Sequence, residues 1–139
     1  MALEKLSQFN QALLRLKEAY EKTLNKKYSD EYSFFRDSTI QRFEFTVEIF
    51  WKTLKEFLRE MEGIVCSSPK NCIREFFSLG CLSEEEARKL LEMIDYRNLT
   101  SHTYHEEVAE EIFNKLNAYI ILLEKTLKVL EEKYESRFA

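Results

Sequence analysis

Turn-making residues are scarce: the 139-residue chain holds two glycines and one proline. A β-sandwich or a doubly wound α/β fold needs far more punctuation, so neither is expected. Gly63 and Gly80 cannot between them write a Walker A loop or a GxGxxG fingerprint. Cys66, Cys72 and Cys81 form an odd set without CxxC spacing. Neither a paired zinc site nor a disulfide framework is expected, and all three are read as reduced, mostly buried small hydrophobes. The start Met1-Ala2-Leu3-Glu4-Lys5 has no cationic segment followed by an apolar run, which predicts no signal peptide. The longest uncharged apolar stretch, Ala118 to Leu123, falls far short of the ~20 residues a membrane span requires. A cytoplasmic protein is expected. An excess of positive charge is missing as well. With 21 Lys and Arg against 25 Asp and Glu, the net charge is −4. A globally basic nucleic-acid binder is thereby excluded, though a local basic patch is not.

What the sequence has in quantity is apolar residues at helical spacing. They make up 45% of the chain, with 33% charged residues, a soluble composition long enough for one domain spanning residues 1–139. A first helix is predicted from about Ala2 to Asn25, with Leu3, Leu6, Leu13, Leu16, Tyr20 and Leu24 mainly at three- and four-residue steps. The polar stretch Lys26 to Asp30 interrupts it. A second helix, about Asp37 to Glu62, carries a broad stripe of Phe43, Val47, Phe50, Trp51, Leu54, Phe57, Leu58 and Met61. Phe45 and Ile49 lie off that stripe, and a helix apolar on two sides belongs at a bundle centre or a subunit interface. A short third helix runs from the cap Ser68 and Pro69 to Gly80, with Ile73, Phe76 and Phe77 inward. Ser83-Glu84-Glu85-Glu86 is a capping box that opens a fourth helix with Leu90, Leu91 and Ile94 inside. A fifth begins near Glu106 and runs to about Tyr134. Its stripe is Val108, Ile112, Leu116, Tyr119 or Ile120, Leu123, Leu127, Leu130 and Tyr134, and its acidic first turns suit the positive helix end. The expected fold is an all-α, antiparallel up-and-down bundle of three long and two shorter helices, homodimeric through the second helix.

Both histidines fall in one stretch, Asp95-Tyr96-Arg97-Asn98-Leu99-Thr100-Ser101-His102-Thr103-Tyr104-His105. Its composition suits a helix junction or a site better than a core helix. On a continuous helix Asn98 and His102 share a face, as do Arg97 and Tyr104. Arg97 and His102 lie about 140° apart. Their convergence therefore requires the helix to end near His102, or a second subunit to complete the site. An arginine fork fits phosphate oxygens and an imidazole moves protons near neutral pH, so the set suits metal-free phosphate chemistry. His102 and His105 at three-residue spacing could touch a metal but have no cysteine beside them, and no metal site is expected. The phenylalanine stripe and Trp51 are read as core. Tyr96 is read as packing on the cleft wall. Arg42, Lys52, Lys55, Lys70 and Arg74 are either a solvated face or a local basic rim.

Arg97-(x4)-His102-x-Tyr104, with Asn98 after the arginine, resembles the Arg-x4-His-x-Tyr signature of HEPN domains. Four blocks in order widen the match: Gln41-Arg42-Phe43-Glu44-Phe45, Trp51-Lys52-Thr53-Leu54-Lys55, Ser68-Pro69 through Gly80, and Arg97 through Tyr104. Together, from about residue 38 to 125, they resemble the nucleotidyltransferase substrate-binding proteins, the HepT-like branch of HEPN. The resemblance implies a homodimeric helical bundle paired with a minimal nucleotidyltransferase (MNT). It also implies a toxin–antitoxin module, in which the chain is a metal-independent endoribonuclease needing no cofactor. His102 would then transfer the proton, Arg97 would hold the scissile phosphate, and Asn98 would orient His102 or the phosphate. Tyr104 would accept the AMP by which the partner silences the toxin. The alternative it implies is a non-catalytic nucleotide- or substrate-binding subunit of a two-component nucleotidyltransferase.

Overall fold

The structure, a computed structural model, describes residues 1–138. Five α-helices follow one another: α1 (Ala2–Leu24), α2 (Tyr32–Glu62), α3 (Pro69–Ser78), α4 (Glu84–Asn98) and α5 (Glu106–Phe138). A single 3₁₀ turn, Leu99–His102, lies between α4 and α5. The expected all-α bundle of three long and two shorter helices is what forms. The chain runs up α1, down α2, up α4 and down α5. Ala2 at the start of α1 meets Glu60 near the end of α2, and Thr23 at the end of α1 meets Thr39 near the start of α2.

The capping box is present: the Ser83 hydroxyl accepts from the Glu86 amide while the Glu86 carboxylate accepts from the Ser83 amide. Ser68 caps α3 by accepting from the Asn71 amide, with Pro69 in the first turn. Gly63 ends α2 in the left-handed region at φ 67°, a conformation a side chain would strain. Two faces differ from expectation. Phe77 is 39% exposed rather than inward, because α3 packs through Cys72, Ile73 and Phe76. On α1, Leu3 and Leu24 are exposed, and Phe9 fills the core. The second helix begins earlier than periodicity suggests, since Tyr32 packs edge-on against Phe113 at 5.9 Å and Arg36 is buried by ion pairs.

Thr39, Thr46 and Thr53 recur every seventh residue on α2 and are fully buried. Each hydroxyl bonds its own helix's carbonyl four residues back, and Thr46 and Thr53 also reach the Ala12 and Lys5 carbonyls of α1. Small, self-satisfied polar groups let the two helices approach closely. The cysteines depart from expectation. Cys66 and Cys72 are joined in a disulfide, with Cα atoms 5.1 Å apart, and Cys81 is free. The reversal at Gly63 brings the extended segment before Ser68 back against the first turns of α3, so the two meet without any sequence motif. Burial pushes the Cys81 thiol pKa up.

Candidate functional site

The polar segment singled out in the sequence sits where α4 gives way to α5. Arg97 and Asn98 form the last turn of α4, and Leu99–His102 tightens into the 3₁₀ turn. The Thr100 hydroxyl lies 2.7 Å from the Arg97 carbonyl and 2.6 Å from Glu44 Oε2, so its one proton serves one acceptor at a time. The amide of His105 donates to the His102 carbonyl. The His105 carbonyl then accepts from the Val108 and Ala109 amides, starting α5. The helix thus does end near His102, as convergence of the motif requires.

The motif splits into two pairs. Arg97 and Asn98 line a cavity of about 150 Å³ with Val47, Glu48, Trp51, Pro69 and Ile94. Arg97 Nη2 is 3.5 Å from Glu48 Oε2, and Arg97 Nε is buried without a hydrogen-bond partner. His102 and Tyr104 stand on the exposed loop instead, with ring centroids 6.2 Å apart. Tyr104 is 74% exposed, and its ring lies 4.2 Å from that of His105, tilted by 40°. Among the described residues no hydrogen bond joins Arg97 to His102 or Tyr104. Nor do three His, Cys, Asp or Glu side chains gather to hold a metal.

Sequence reasoning missed what holds this loop in place. Arg36, Glu44 and Glu48 lie on α2 at spacings of eight and four residues, one above another on a single face. Each reaches a different part of the motif segment. Glu48 takes Arg97, and Glu44 takes Thr100. Arg36 takes the first turns of α5, bonding Glu106 at 2.8 Å and Glu110 at 3.4 Å, with Asp37 at 3.1 Å. Arg36 is 2% exposed, and its guanidinium lies 5.6 Å from the centre of the Tyr32 ring. The Tyr32 hydroxyl also donates to Glu110. Burial and then that bond raise the Tyr32 pKa, while hydrogen bonding from Arg36 holds the Glu106 carboxyl below its ordinary range. The available signal was a charged stripe at helical spacing inside an aromatic helix.

The Tyr96 hydroxyl donates to Glu111 at 2.8 Å on α5, and that bond raises its pKa. Of the five cations read as a solvated face or a basic rim, four have partners within the chain. Lys52 pairs with Glu48 and Lys70 with Asp95, Lys55 lies over the Trp51 ring, and Arg42 donates to the Arg15 carbonyl.

A model of the nucleotidyltransferase substrate binding protein like family matches residues 4–132. The chain belongs to this family. The chain is 29% identical over 98 residues to a Haemophilus influenzae protein described as a probable ribonuclease HepT. That alignment spans 68% of this chain and 66% of the relative, just under two thirds of its length. A crystal structure from Thermus thermophilus superposes with a TM-score of 0.79 at 44% identity, over 88% of this chain and 98% of that one. The tri-AMPylated HEPN toxin of Shewanella oneidensis, solved in complex with its MNT antitoxin, superposes with a TM-score of 0.70. It covers 94% of this chain and 96% of that one at 14% identity, and so shares the HEPN fold.

Proposed function

We propose that this HepT-like protein is the toxin of a two-component HEPN/MNT module, a metal-independent endoribonuclease switched off by adenylylation of Tyr104. The observation that carries the reading is the order of exposure along the motif: Arg97 sits anchored at the cavity wall, and His102 and Tyr104 follow on an open loop. His102 takes the proton of an RNA 2′-hydroxyl as that oxygen attacks the adjacent phosphorus and the 5′-oxygen leaves. Arg97 stabilises the charge that grows on the phosphoryl oxygens, and Asn98 orients the phosphate beside it. In the silencing step the Tyr104 hydroxyl attacks the α-phosphorus of ATP on the MNT partner, and pyrophosphate departs. The bulky anion left on Tyr104 blocks phosphate approach by size and charge.

Because Arg97 and His102 are not in contact within one chain, a homodimer that faces the two loops across one cleft supplies the missing proximity. The single domain works in the cytoplasm, where RNA and ATP are present and where the Cys66–Cys72 disulfide is open to reduction. The test is cleavage of single-stranded RNA by the purified protein in EDTA. Activity should fall at least a hundredfold in His102→Ala. Equal cleavage by both proteins would remove His102 from its role. The second reading, a non-catalytic nucleotide- or substrate-binding subunit, is favoured by the same separation of Arg97 from His102. It expects RNA or nucleotide binding that weakens in Arg97→Ala, with no turnover.

A further inference from the structure

A cavity larger than that of Arg97 and Asn98 lies along α1 and α2. A groove of about 480 Å³ runs between α1 and α2, walled by Gln8, Gln11, Arg15, Gln41, Arg42 and Phe45 among others. It shares no lining residue with the cavity of Arg97 and Asn98, and Gln41 alone with the one beside Thr100 and Thr103. Its charge sets it apart in a chain of net charge −4. Other cavities carry a carboxylate on the wall: Glu48; Asp37 with Glu44; Glu62; Glu84. This groove has two arginines and no acid. Neither arginine forms an ion pair among the described residues. One nitrogen of Arg42 donates to the Arg15 carbonyl, which fixes that guanidinium across the two helices. Phe45 is 54% exposed at the same site, with half-buried Ile49 beside it.

We propose that this groove is a binding site for a nucleoside phosphate. Two un-neutralised guanidinium groups, one of them fixed, suit a phosphate, for which arginine's planar fork is the fitting donor set. An exposed phenyl face offers a platform on which a base can stack. Three glutamine amides, each both donor and acceptor, can meet a base edge. The volume lies within the ~300–1,000 Å³ range of small-ligand sites. A second copy of the chain is a poor occupant. A two-fold contact through the groove would set four guanidinium groups against one another with no carboxylate between them. The phosphate can come from a free nucleotide or from an RNA strand, and the site stands whether or not His102 and Arg97 cleave RNA.

The test is isothermal titration of the full-length protein with ADP, adenosine and inorganic phosphate. Saturable ADP binding is expected, with adenosine weaker by at least ~tenfold. Arg15→Gln, an exposed position that leaves the fold intact, and Phe45→Ala should each weaken ADP by about tenfold. In an Arg97→Ala background the ~tenfold loss caused by Arg15→Gln should persist, which separates this site from the proposed ribonuclease centre. Displacement of ADP by a single-stranded RNA hexamer in the His102→Ala background would assign the phosphate to a strand; no displacement would assign it to a free nucleotide. Absence of saturable binding, equal binding in Arg15→Gln, or disappearance of that loss in the Arg97→Ala background would overturn the proposal. So would a change of oligomeric state in Arg15→Gln without nucleotide binding.

Discussion

Replacing Arg36 with methionine isolates the charge that fastens the start of α5 to α2. Methionine keeps much of the buried volume, so cavity formation is small. Removing one member of a fully buried pair costs about 3–5 kcal/mol because the stranded charge stays dry. Here the acceptors Asp37 and Glu106 are more than half exposed and Glu110 lies at the surface edge. They rehydrate, and what is lost is a set of charge-assisted hydrogen bonds. We expect about 2 kcal/mol at neutral pH. For a chain of this size that lowers Tm by roughly 8 °C. The pH dependence gives the sharper check. Arg36 holds the Glu106 carboxyl below its ordinary range. Between the folded and unfolded pKa values the unfolded chain therefore binds more protons, and stability rises with pH through that window. The contribution is fully present above the ordinary carboxylate pKa of about 4.3 and is lost as pH falls through the lowered folded value. The Tm gap between wild type and Arg36→Met, measured by circular dichroism, should shrink from pH 7 to pH 3. A gap of equal size at both pH values would mean that the loss is packing, and the electrostatic argument would fail.

Four further outcomes are expected. Co-expression with an MNT partner should add adenylyl masses to the wild-type chain; Tyr104→Phe should remove the first, and an unchanged intact-mass spectrum would clear Tyr104. Glu48→Gln frees Arg97 and Lys52 from a shared carboxylate, so RNA affinity should rise a few-fold with a steeper salt dependence; filter binding across a salt series reads both, and an unaltered slope counts against the role given to Arg97. Denatured, unreduced protein should expose one titratable thiol, Cys81, and three after reduction; three thiols before reduction would contradict the Cys66–Cys72 bond. Ser83→Ala should cost about 1 kcal/mol through the capping box, read as a Tm drop of a few degrees.

The long elements were legible because they depend on local rules. The capping box at Ser83, the Ser68–Pro69 start and the apolar stripes of α2 and α5 need only neighbours in sequence, and each forms where expected. The motif was legible as a group of residue types: Arg97, Asn98, His102 and Tyr104 do share one helix junction. Three things were not legible, each for a non-local reason. Phe77 looked inward by spacing, but α3 is too short to bury two faces. The burial of Arg36 depends on Glu106 and Glu110, some seventy residues away. The Cys66–Cys72 bond depends on a chain reversal at Gly63 that no spacing rule encodes.

The placement of these long-range contacts gives α2 a role beyond the core. A loop that presents His102 and Tyr104 to solvent cannot be held by burial of those side chains, and its own turn bonds are few. Its geometry is set at its margins. Glu48 and Glu44 hold the end of α4 and the 3₁₀ turn, and Arg36 holds the first turns of α5. All three belong to one rigid helix that is packed through Phe43, Phe50 and Phe57, the row on which Arg36 itself lies. The exposed segment is therefore positioned by a scaffold it does not contribute to. Loosening one anchor should raise amide exchange across Ser101–His105 while leaving exchange in the centre of α2 near the wild-type rate. If Arg36→Met instead speeds exchange evenly along α2, the anchors and the core are one cooperative unit, and the loop has no independent support.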